Sequence, residues 1–116
     1  MEESILRTIK KMLNVDPNNT DFDIDIIIDI NSVFMVLKQL GVGPEFENFS
    51  ISDDKAKWSD FLENRNDLDL VKTYIYLKVK MVFDPPINSS IIESYNNLIK
   101  EYEWRLNSQI DYNVDE

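Results

Sequence analysis

The run Val71-Lys72-Thr73-Tyr74-Ile75-Tyr76-Leu77-Lys78-Val79-Lys80-Met81-Val82-Phe83, closed by Asp84-Pro85-Pro86, is apolar on nearly every side. A helix at the surface of a small domain needs only one apolar face. Such a segment is therefore either the centre of a core or a surface shared with other subunits. From Ile75 to Phe83 the apolar residues alternate, which is the period of a strand, and Val71, Thr73, Ile75, Val79 and Val82 are β-branched. Length argues the other way, because the span from Asp67 to Asp84 is too long for a typical strand. Asn66 with Asp69 three residues on resembles a helix start, and Asp84-Pro85 a helix stop. A helix is expected, with Lys78 in the middle of its apolar face.

The other segments are read more directly. Residues 4 to 14 carry Ile5, Ile9, Met12 and Leu13 on one helical stripe, followed by a breaker-rich turn from Asn14 to Asn19. A longer helix follows, with Thr20 as its expected N-cap and Asp21 and Asp23 in the first turn, where the helix dipole favours negative charge. Its core stripe is Ile26, Ile30, Val33, Leu37 and Leu40, and Gly41 with Gly43-Pro44 ends it. The last helix opens on a capping-box pattern, Ser90-Ile91-Ile92-Glu93, and carries Ile91, Tyr95, Leu98, Tyr102 and Leu106 on one stripe.

Two segments lack that periodicity. Residues 41–65 form a long connection whose Phe46, Phe49, Ile51, Trp58, Phe61 and Leu62 are too apolar for a solvated tether. Trp58 to Glu63 is expected to make one helical turn. Residues 107–116 form a tail in which Ile110, Tyr112 and Val114 alternate with polar residues, the pattern of an extended docking arm. The expected architecture is all-α: a small bundle of about four helices over residues 1–106, a long loop at 41–65, and an extended C-terminal arm at 107–116.

Composition removes most chemistry. The 116 residues include no cysteine and no histidine, which excludes disulfides, thiolate nucleophiles, Cys/His zinc sites and imidazole catalysis. The run Asp16 to Asp29 fails as a calcium loop, because Asp21 stands where glycine is needed and Ile27 where glutamate is needed. No Gly-rich phosphate loop is present, and no motif pairs a nucleophile with a base. No enzyme, metal or cofactor is expected. No signal peptide or membrane span is evident, so a soluble protein that stays where it is made is expected. The net charge of −10 argues against gripping DNA, although an acidic wall would let a duplex slide past.

The helix surfaces say more about function. Ile24, Ile28 and Met35 fall opposite the Ile26–Leu37 stripe, and an aligned apolar set left in water suggests an interface. Coverage by the domain's own helices is the competing reading. Lys78 either snorkels past its neighbours or pairs with an acidic residue of an adjacent subunit.

Three stretches carry a resemblance to a known family. Phe22-Asp23-Ile24-Asp25-Ile26-Ile27-Ile28-Asp29-Ile30-Asn31-Ser32-Val33-Phe34, then Leu40-Gly41-Val42-Gly43-Pro44, then Val71 to Pro86, resemble the small head–tail connector proteins of long-tailed double-stranded DNA phages and prophages. Trp58-Ser59-Asp60-Phe61-Leu62 and Glu103-Trp104-Arg105-Leu106 extend the similarity over nearly the whole length. The resemblance implies a structural virion protein made in the host cytoplasm and placed at the head–tail junction. It implies a homo-oligomeric ring of twelve copies beneath the portal, which extends the DNA channel and holds the stopper or tail below. It also implies that residues 41–65 contact neighbouring subunits, through Phe46, Phe49 and Trp58, and that Ile110, Tyr112 and Val114 reach the portal. Two rivals remain: an acidic DNA-mimic inhibitor of a nucleic-acid-binding enzyme, and an enzyme built on a carboxylate-held metal.

Overall fold

In the computed structural model, residues 4–42, 49–61 and 68–114 are described, without the side chains of 68 and 108–114. Five helices follow in chain order: α1 (Ile5–Met12), α2 (Asp23–Gln39), α3 (Trp58–Phe61), α4 (Leu68–Phe83) and α5 (Ser89–Val114). Among the described residues the only β feature is an isolated bridge between Ser4 and Lys57. The all-α expectation holds.

The helix boundaries are set by local backbone chemistry. Ser4 caps α1, its hydroxyl accepting from the Arg7 amide at 3.2 Å. Both α1 and α2 end in a left-handed residue, Asn14 (φ 63°) and Gly41 (φ 86°). The following amides reach back into the last turn, Val15 to the Lys10 carbonyl and Val42 to the Leu37 carbonyl, each at 2.8 Å. Those bonds satisfy carbonyls that a helix end would otherwise leave orphaned. Val42 is buried beneath its turn, which adds the apolar contact usual for this motif.

Three expected boundaries need correction. The helix after the first turn begins at Asp23 with Phe22 at the cap, not Thr20; the Thr20 carbonyl closes a turn onto the Asp23 amide. Its first-turn acids are accordingly Asp23 and Asp25. At α5 the capping carboxamide is Asn88, whose Oδ1 accepts from the Ser90 amide at 2.8 Å and whose carbonyl accepts from Ile92. Asn88 sits one residue ahead of the helix, where such a side chain reaches a free amide better than the Ser90 hydroxyl can. The extended arm is also corrected: α5 stays helical to Val114. No glycine or proline occurs after Pro86 to stop it, and Leu106, Ile110 and Val114 recur at four-residue spacing. The proposed start signal at Asn66 lies outside the described residues.

Helix α4 is the hub, packed against α1, α2 and α5. Val71, Tyr74, Ile75, Leu77 and Val79 are buried, and every other side chain from Leu70 to Met81 is at most half exposed. Its all-round apolarity is therefore consumed by neighbours in its own chain over most of its length. Tyr74 donates to Glu103 Oε2 at 2.8 Å and so ties α4 to α5. Burial first, then the glutamate beside it, pushes the Tyr74 hydroxyl well above its ordinary pKa, so it stays a donor.

The described part of the long connection is built into the core. The Asn31 side chain pairs with the Ile51 backbone in both directions, Nδ2 to the carbonyl at 3.0 Å and Oδ1 from the amide at 2.8 Å. A carboxamide used this way stands in for a missing strand partner and fixes the segment on α2. Ile5 donates to the Ala56 carbonyl at 2.9 Å, which fixes the same segment on α1. Phe34, Phe49 and Phe61 form a ring cluster with centroids 4.6–5.2 Å apart.

The turn between α1 and α2 is held by a buried lysine. Lys10 is 2% exposed. Its ammonium reaches the Pro17 carbonyl at 3.1 Å, the Asn19 carbonyl at 2.7 Å and Asp23 Oδ1 at 2.7 Å. A buried cation is tolerated only when it is paired and hydrogen-bonded, and this one is both.

Candidate assembly surface

The buried stripe of α2 is Ile26, Ile30, Val33, Phe34 and Leu37. At about 100° per residue, Ile24, Ile28 and Met35 fall on the opposite side of the helix. They are 73%, 57% and 65% exposed. No described helix covers them. Phe22 and Val82 are exposed as well, Val82 at 70%. Phe22, Ile28 and Val82 border one groove, and Ile24 and Met35 share the helix face of Ile28, so these five side chains are apolar surface that folding leaves unused.

A groove runs beside this stripe, between α2 and the end of α4. It has a volume of about 600 Å³ and is bordered by Val15, Phe22, Ile28, Val82 and Phe83 together with Asp25, Asp29 and Asp84. Its continuation, about 240 Å³, is bordered by Asp29, Ser32, Val33, Val36, Lys78 and Val82. Partial burial, and then the neighbouring Asp25 carboxylate, raises the Asp29 pKa. That is the sign of a carboxylate already short of solvent before any partner arrives. Lys80 holds Asp84 at 3.1 Å.

Each expected interface residue can now be placed. Ile24, Ile28 and Met35 share the open face of α2. Lys78 of α4 is half-buried at the groove's continuation, across from Asp29 of α2, and among the described residues no carboxylate is paired with it. Phe49 is half-buried against Phe34 and Phe61. Trp58 is corrected: it is 3% exposed, inside the core, with its indole N–H donating to Thr8 Oγ1 at 3.0 Å and Lys72 over its ring. It has no surface to offer a neighbour. Phe46 lies outside the described residues, as do the side chains of Ile110, Tyr112 and Val114.

Among the described residues no group of three acidic side chains converges to hold a metal ion. None of the described helices is long and apolar enough to cross a membrane. The residues that the sequence pattern does not mark here are Phe22 and Val82, which border the groove together with Ile28. They belong to different segments, so no single-helix periodicity could have joined them.

A family model described as phage connector protein matches residues 5–113. No curated protein and no solved structure matches the chain.

Proposed function

The chain belongs to the phage connector protein family, and on that premise we propose that it is a ring-forming adaptor beneath the portal of a long-tailed phage. The family supplies its class: a structural connector of the virion. The adaptor reading adds that copies associate side by side, extend the DNA channel, and offer a platform to the stopper or tail. Twelve copies are proposed, matching the portal above. No reaction is catalysed.

The observation that carries this reading is the unpartnered face of α2. Ile24, Ile28 and Met35 leave a folded, well-cored domain with an aligned apolar stripe in water, beside a groove whose Lys78 has no acidic partner among the described residues. In the assembled ring the stripe is covered by a neighbouring copy, and Lys78 pairs with a carboxylate of that copy. The C-terminal segment 107–116, with Ile110, Tyr112 and Val114, reaches the portal, now as the end of a helix. The excess of acidic residues gives the channel a wall that repels the duplex it must pass. A DNA mimic is the weaker reading, because its acidic face would be interrupted by these apolar side chains.

The test is the mass of the purified protein alone and after mixing with the portal protein of the same phage, by sedimentation velocity. The expected result is a portal-bound species with about as many copies as the portal has subunits, whatever the state of the protein alone. Failure to bind the portal would overturn the adaptor reading.

A further inference from the structure

A second hollow on the molecule has the opposite charge. It has a volume of about 630 Å³ and is bordered by Arg7 and Lys11 of α1, by Lys55 and Lys57 of the connection, and by Ser4, Pro17 and Asp54. Four of the chain's twelve basic residues thus stand around one cleft, with a single carboxylate among them, in a chain with 22 acidic residues. Arg7 is partly matched by Asp54, Nε to Oδ2 at 3.3 Å, with both side chains about half exposed. The other three cations take no part in the fold's ion pairs among the described residues.

The cleft and the groove are of nearly equal size. The groove's border carries Asp25, Asp29 and Asp84 and no basic side chain of its own, with Lys80 holding Asp84 from outside it and Lys78 bordering only its continuation. The turn after α1 borders both, Val15 at the groove and Pro17 at the cleft. Self-association between surfaces of opposite sign is favoured by charge, whereas contact between two copies of the same acidic surface is opposed. A phosphate backbone would also suit four cations, but the remaining surface of the chain repels it.

We propose that the Arg7–Lys11–Lys55–Lys57 cleft receives the Asp25–Asp29–Asp84 edge of a second copy of this chain. This rests on the ring reading and gives it a polarity. Each copy offers its groove to one neighbour and its cleft to the other, which is the head-to-tail contact that closes into a ring. The exposed stripe of α2 is buried in the same step. Because the ionic part of the contact is at the surface, it sets orientation and rate, and it weakens with salt.

The test uses the full chain with its portal and two charge reversals of exposed residues: Lys55→Glu with Lys57→Glu, and Asp25→Lys with Asp84→Lys. Melting temperatures confirm that each variant folds, and sedimentation velocity reads assembly. Each reversal alone is expected to weaken assembly by at least about tenfold, and the four substitutions combined in one chain to restore it. Reversals without effect on a wild-type ring would overturn this contact and leave the ring standing. Loss without restoration would mean that the cleft faces the portal or DNA, and would also overturn it. A species that stops at two copies would overturn the head-to-tail polarity. If the wild-type chain forms no portal-bound ring, the ring reading fails and this inference fails with it.

Discussion

Lys10→Met is expected to destabilise the fold by about 3–5 kcal/mol, the range seen when one partner of a buried ion pair is removed. In a domain of this size, that lowers the melting temperature by on the order of 10 °C or more. The ammonium is 2% exposed and holds two carbonyls and one carboxylate. Methionine fills the space but leaves Asp23 beside unpaired carbonyls in a place water reaches poorly. Replacing Asp23 together with Lys10 is expected to recover only part of the loss, because the Pro17 and Asn19 carbonyls stay unsatisfied. Lys11→Met, one residue along and exposed, is expected to change stability by no more than about 0.5 kcal/mol. Urea unfolding of the three variants checks all of this, with an unchanged m-value expected.

Trp58→Ala is expected to cost about 3–5 kcal/mol, the usual range for emptying a buried aromatic site. The indole fills the junction of α1, α3 and the connection and donates to Thr8. Trp58→Phe keeps most of the apolar bulk and gives up the hydrogen bond, so about 1–2 kcal/mol is expected. The distinguishing observation is where the damage appears. A core tryptophan lowers the melting temperature of the isolated chain; an interface tryptophan would leave it unchanged and weaken assembly alone.

Helix α2 was readable because it is amphipathic in the ordinary way, with a buried stripe repeating every three or four residues and a glycine stop. Its open face was readable for the same reason, since Ile24, Ile28 and Met35 stand opposite that stripe. Helix α4 was harder. A helix enclosed by α1, α2 and α5 has no polar face, so its periodicity is erased and length alone separates it from a strand. The caps failed at Thr20 and Ser90 because several adjacent residues could serve, and the winner depends on how the preceding turn is held. The burial of Trp58 is not legible because a loop without periodicity gives no sign of which aromatic turns inward. Asn31 and Ile51 are twenty residues apart, and no local pattern announces their pairing. Lys10, next to Lys11, has the appearance of a solvated charge in the sequence, and only the folded-back turn at Pro17 and Asn19 encloses it. In the tail, alternation at Ile110, Tyr112 and Val114 competes with a four-residue spacing from Leu106 in the same residues, and the helical spacing wins.

The central claim is that the open face of α2 is spare for folding and spent on assembly. Ile24→Asp with Ile28→Asp tests it, with melting and portal-bound assembly measured on the same preparation. Both side chains are mostly in water in the isolated chain, so the melting temperature should move by no more than about 2 °C, as for other surface substitutions. Assembly should fall by at least about tenfold, because each isoleucine buried at an interface contributes about 1.5–3 kcal/mol. A double variant that melts normally and still forms the full portal-bound ring would contradict the claim.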